Sequence, residues 1–139
     1  MVRPMKTVKT VFMIDDDVED QEIFAETIFS IDPLIKCIVP IDGRQAIGSL
    51  LIKGAILPDF IFVDLNMPNM NGYEFLKEIK DQEHLNHIPV VVYTTSSDSK
   101  DREKAKRLGA HSFITKPSAL LELRRELATI LLKGQNQVV

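Results

Sequence analysis

Phe60-Ile61-Phe62-Val63 is an unbroken apolar run closed at once by Asp64, and Val90-Val91-Val92-Tyr93 repeats the pattern ahead of Thr94. Runs this short and this continuously apolar read as parallel strands covered on both faces, because a strand with one wet face alternates instead. Working outward, the pattern predicts strands over Thr10–Ile14, Leu34–Val39, Phe60–Val63, Val90–Thr94 and His111–Thr115. Amphipathic stretches fill the gaps. Ile23, Phe24, Thr27, Ile28 and Ile31 recur at helical spacing, as do Ala46, Ile47, Leu50 and Leu51. Asn71-Gly72 opens a third helix carrying Tyr73, Leu76 and Ile79, and Ser99–Leu108 forms a fourth that is highly charged. The last runs over Ala119–Lys133 with Ser118 as its N-cap. Gly54 and Gly109 read as stops after helices. Strand and helix in regular alternation specify an α/β fold rather than a bundle or sandwich.

The 139 residues, 45% of them hydrophobic, fit one domain with a real core. We expect it over residues 8–134, with short tails at 1–7 and 135–139. A net charge of -3 argues against nucleic acid or an anionic membrane as the main partner, since both favour a basic surface. Cys37 is the only cysteine, so no internal disulfide forms and nothing points to an oxidising compartment. The apolar run Val11–Ile14 is too short for a signal peptide or a membrane span. A cytoplasmic location is the expectation.

In an open α/β sheet the ligand lies outside the carboxyl ends of the strands. Those ends are unusually polar here: Asp15, Asp16 and Asp17 follow the first strand, Asp64 the third, Thr94 and Thr95 the fourth, and Lys116 before Pro117 the fifth. Carboxylates brought together repel one another, and a hard divalent cation with oxygen ligands relieves that repulsion. Mg²⁺ held by one or two carboxylates keeps waters that a phosphate oxygen can replace. Such a site suits phosphoryl chemistry. Asp17, Glu19 and Asp20 read instead as acids favoured at a helix start. His84, His87 and His111 lack a metal-ligand pattern, Cys37 reads as a core residue, and Met67 and Met70 as loop packing.

Four motifs carry a resemblance: Ile14-Asp-Asp-Asp17, Val63-Asp-Leu-Asn-Met-Pro-Asn-Met-Asn-Gly72, Tyr93-Thr-Thr95 and Thr115-Lys-Pro117. In that order and at the ends of those strands, they closely resemble response-regulator receiver domains, in particular the single-domain, chemotaxis-regulator-like members of two-component or phosphorelay signalling. The resemblance runs from about Thr10 to Lys133. It implies a flavodoxin-like, doubly wound, five-stranded parallel sheet of order 2-1-3-4-5 with five helices. It also implies Asp64 as phosphoacceptor and a Mg²⁺ (or Mn²⁺) held by Asp15, Asp16, Asp64 and the backbone carbonyl of Asn66. Thr94 and Lys116 would bind phosphoryl oxygens, and Phe113 would be the switch aromatic, lacking the hydroxyl of a tyrosine.

The implied function is a signalling switch, not an enzyme, phosphorylated by a sensor histidine kinase or a histidine phosphotransfer protein. A Mg²⁺-dependent phosphohydrolase with an aspartate nucleophile is the alternative. It calls for a second carboxylate two residues after Asp64, where Asn66 stands. A flavodoxin-like cofactor carrier fits worse, since five acids in the six positions 15–20 repel an anionic cofactor. With only Gly134–Val139 after the last helix, output is expected through a downstream protein partner or a homodimer. The family analogy points to a face carrying Lys100, Lys104 and Arg107, together with Arg102 and Lys106, near Glu122, Arg124 and Arg125.

Overall fold

The computed structural model describes residues 7–135, so the expected tails fall outside the described residues except at positions 7 and 135. Five strands and five helices alternate: β1 (Thr10–Ile14), α1 (Val18–Ile31), β2 (Lys36–Ile38), α2 (Gly43–Leu50), β3 (Phe60–Val63), α3 (Gly72–Asp81), β4 (Val90–Thr94), α4 (Ser99–Arg107), β5 (Ser112–Thr115) and α5 (Leu120–Gln135). The strands form one parallel sheet in the order β2-β1-β3-β4-β5, the expected doubly wound topology.

Successive side chains of a strand point to opposite faces, and each face builds its own core. Val11 and Met13 of β1 join Phe60 and Phe62 of β3 beneath Phe24 and Ile28 of α1 and Leu123 and Leu127 of α5. Phe12, Ile14, Ile61 and Val63 pack on the other side against Ala46, Ile47 and Leu50 of α2 and Phe75, Leu76 and Ile79 of α3. The helix α4 contributes only Ala105 to a small third cluster with Leu65 and Val92. Its remaining surface is free to carry charge.

Local signals set the ends. Asn71 and Glu74 form a reciprocal capping box at the start of α3. After α4, Ala110 N–H bonds the Ala105 carbonyl and Gly109 N–H the Lys106 carbonyl, with Gly109 at φ +98°. That is a Schellman stop, and it needs the left-handed conformation glycine tolerates.

Several expectations change in detail, among them β5, which begins at Ser112 rather than His111, and α4, which ends at Arg107 rather than Leu108. The second strand is only Lys36–Ile38, because Asp32 accepts from Leu34 N–H with its side chain and from Ile35 N–H with its carbonyl, folding 32–35 into a turn. Leu51 caps α2 and is exposed, so it leaves the apolar stripe. The residue directly before α5 is Ala119, one position past the expected cap Ser118.

Candidate functional site

The parallel register carries the polar strand ends to one edge. Ile14 pairs with Val63, so Asp15 and Asp64 emerge side by side where the chain reverses its winding direction. Thr94 pairs with Thr115, which sets Lys116 beyond the end of β5. Asp15, Asp64 and Thr94 are all buried, whereas Asp16 and Asn66 are exposed.

Carboxylate oxygens of Asp15, Asp16 and Asp64 lie within 4.8 Å of one another. Three hard oxygen donors at that spacing, two of them on buried strand ends, match the donor set that a small divalent cation takes. Asp15 is held from two sides: Oδ1 accepts the Asp17 N–H at 2.9 Å, and Oδ2 accepts from Lys116 Nζ at 2.7 Å. Asp64 Oδ1 accepts the Asn66 N–H at 3.3 Å, and its Oδ2 accepts from Lys116 Nζ at 3.2 Å. Burial raises the Asp15 carboxyl above its ordinary pKa, only partly offset by the Lys116 and Asp17 hydrogen bonds. Burial opposes the charge on Lys116, but its bonds to Asp15 and Asp20 outweigh burial and hold its pKa above the lysine norm. The ammonium also sits 5.2 Å from the centre of the Tyr93 ring.

Among the residues expected around this edge, Thr94 Oγ1 accepts the Ser96 N–H at 3.4 Å. Phe113 is half-buried against the Leu65, Val92 and Ala105 cluster, and the Arg102 guanidinium stacks 4.7 Å from its ring centre. Lys100, Lys104 and Arg107 are exposed on α4, with Lys104 Nζ lying 4.2 Å over the Tyr73 ring. Arg124 does not join them: it donates to the Ser30 hydroxyl and carbonyl on α1, both at 3.2 Å.

Two features escape a reading of the sequence. Asp20, expected as a simple helix-start acid, accepts from Lys116 Nζ at 2.8 Å. Asp17 does act as the N-cap, taking the Asp20 N–H at 3.1 Å. The second is a node on Asp101, where Tyr73 Oη and Ser96 Oγ donate to the two carboxylate oxygens. Those bonds, Ser96 first, hold the Asp101 carboxyl below the usual range, while burial and then Asp101 push the Tyr73 phenol up to about 12. A β4–α4 loop serine and an α3 tyrosine are thereby tied to the first turn of α4.

This constellation can be compared with known proteins. The response regulator receiver domain matches over residues 11–128. The chain belongs to that family. It is a phosphorylation-dependent signalling switch, a phosphoacceptor module rather than an enzyme. Receiver domains are supplied by histidine kinase phosphodonors. The receiver is 36% identical over 92 residues to the probable methanogenesis regulatory protein FilR2 of Methanothrix harundinacea, covering 64% of this chain and 59% of that one. It is 28% identical over 109 residues to the polar-differentiation response regulator DivK of Brucella ovis, covering 78% and 85% of the two chains. The Mn(2+)-bound form of response regulator Rcp1 superposes with a TM-score of 0.80 at 29% identity, over 94% of this chain and 97% of that one. Asp15, Asp16 and Asp64 form an acidic group that could hold a metal ion, as is typical of receiver domains. Among the described residues, no helix is long and apolar enough to cross a membrane.

Proposed function

We propose that Asp64 is the phosphoacceptor of a receiver unit spanning residues 8–134, served by a phosphohistidine on a sensor histidine kinase or a histidine phosphotransfer protein. The observation that carries this reading is the Lys116 ammonium, its side chain 8% exposed, held 3.2 Å from Asp64 Oδ2. An ammonium fixed beside an acceptor carboxylate stands ready for an equatorial oxygen of the incoming group. In the transfer, an Asp64 oxygen attacks phosphorus in line. The new P–O bond forms as the donor's P–N bond breaks, and the imidazole nitrogen leaves with the electron pair. Lys116 then donates to one phosphoryl oxygen, and the Thr94 hydroxyl turns to donate to another.

Asp15, Asp16, Asp64 and the Asn66 carbonyl are the residues that would hold Mg²⁺ or Mn²⁺, and the Mn(2+)-bound Rcp1 supports a divalent cation. When bound, the cation neutralises charge on the transferred group. The half-buried Phe113 is the switch aromatic and acts through packing alone, being next to Ala105 of α4. Output leaves through the α4 face, where Lys100, Lys104 and Arg107 suit an acidic protein surface or a second copy of the chain. Neither nucleic acid nor membrane is the partner, and the protein works in the cytoplasm.

Intact-mass measurement after incubation with acetyl phosphate and Mg²⁺ tests the assignment. Wild type gains one base-labile phosphate and Asp64→Asn gains none on the peptide containing residue 64. An undiminished label on that peptide in the variant would falsify the acceptor assignment.

A further inference from the structure

Lys116 is more heavily engaged than phosphoryl binding requires. Its Nζ donates to Asp15 Oδ2 at 2.7 Å, to Asp20 Oδ2 at 2.8 Å and to Asp64 Oδ2 at 3.2 Å. A lysine ammonium has three N–H donors, so all are committed. The two short contacts both come from the β1–α1 side, and the acceptor carboxylate has the longest.

Asp20 stands outside the metal-type trio of Asp15, Asp16 and Asp64. It lies in the first turn of α1, where the N-cap Asp17 receives its backbone N–H. A carboxylate there would be favoured by the helix terminus while fully solvated. Instead its side chain is only 29% exposed and reaches back to Lys116.

We propose that Asp20 is a positioning residue that draws the Lys116 ammonium away from Asp64 and so restrains phosphorylation. The proposal rests on Asp64 being the acceptor. A phosphoryl group on Asp64 presents dianionic oxygens to the same ammonium, and Asp20 competes with them for it. Of the two short partners, the Asp15 side chain is 0% exposed and has no water to turn to, whereas Asp20 opens to solvent. Asp20 is therefore the contact that yields, and its release ties phosphoryl occupancy to the first turn of α1.

The test compares wild type, Asp20→Asn and Asp20→Ser, each with Lys116 intact and in a Lys116→Gln background. Acetyl phosphate is supplied below saturation with Mg²⁺, and the ratio of phosphorylated to free protein is read by intact mass. With Lys116 present, both Asp20 variants should show a ratio about 1.5- to fivefold above wild type, the range expected of a partly exposed ion pair. In the Lys116→Gln background the rise should vanish, because the competition acts only through the ammonium. A structural role, or plain charge repulsion, would persist there. An unchanged or lower ratio in both variants, or an equal rise in both backgrounds, overturns the proposal. Wild type that takes up no phosphate at residue 64 overturns the acceptor assignment beneath it, and the brake falls with that assignment.

Discussion

Lys116, beyond the end of β5, lies 2.7 Å from Asp15 at the end of β1, although 101 residues and two intervening strands separate them. The side chains are 8% and 0% exposed, so each ion is the other's replacement for water. Breaking such a pair leaves a buried charge uncompensated. We predict that Lys116→Met folds but loses about 3–5 kcal/mol in chelator-treated buffer, measured by urea unfolding. Millimolar Mg²⁺ should recover much of the loss. Equal stability of the two proteins in chelator would mean that the carboxylates do not depend on the ammonium.

Asp16 is the exposed member of the trio, its carboxylate oxygen within 4.8 Å of those of Asp15 and Asp64. Without a cation it adds only repulsion. Asp16→Ala should therefore be more stable than wild type in metal-free buffer, by roughly 0.2–1 kcal/mol as for surface charge pairs, while its Mg²⁺ affinity falls strongly. A drop in metal-free stability would identify Asp16 as a structural anchor.

Gly72 begins α3 with its N–H on the Leu65 carbonyl at 3.0 Å. A Cβ there would meet the Asp64 carbonyl oxygen at 2.5 Å and Leu65 Cα at 2.8 Å, and backbone cannot swing aside as a side chain can. Gly72→Ala should cost about 1–3 kcal/mol by overpacking and slow labelling of Asp64 by acetyl phosphate. Gly48→Ala, whose Cβ would meet nothing within 4 Å, is the matched control and should be neutral or stabilising. Similar melting points for the two variants would refute the close approach.

Both tyrosines ionise late. Burial pushes Tyr73 and Tyr93 from 10.0 up to about 12, reinforced at Tyr73 by Asp101 and opposed at Tyr93 by Lys116. A raised pKa in the folded state means that the folded protein binds the proton more tightly. The associated stability is present below pH 10.0 and is lost as pH rises through about 12. Ultraviolet titration should show a native tyrosinate midpoint well above that of urea-unfolded protein, and Asp101→Asn should lower the Tyr73 step. Coincident native and unfolded curves would count against the Tyr73–Asp101 bond.

On α4, Lys104 is partly committed to the Tyr73 ring at 4.2 Å, so reversing its charge would disturb that contact as well as the surface. Lys100→Glu with Arg107→Glu is the cleaner test of an acidic partner or of self-association. We predict unchanged phosphorylation and loss of the phosphorylation-dependent gain in association, about 1–3 kcal/mol, by sedimentation. Retained association would move the output surface off α4.

The sequence determined what depends on near neighbours. Apolar runs such as Phe60–Val63 define buried strands, helical spacing defines the helices between them, and polar residues just past the runs collect at one sheet edge by topology alone. That is why Asp15, Asp64, Thr94 and Lys116 were legible together. The edge strand β2 is shorter than its apolar run because a short turn around Asp32 competes with it, a balance that composition does not reveal.

Only the tertiary structure decided which charges meet across the packed elements. Asp20 reaches Lys116 across 96 residues, Arg124 turns to Ser30 across 94, and Tyr73 finds Asp101 across 28. Each depends on how a helix is rotated against the sheet. Burial of many small apolar contacts sets that rotation, and no local pattern encodes it. Asp20 therefore reads in sequence as an ordinary helix start and stands in the fold as the third carboxylate on Lys116.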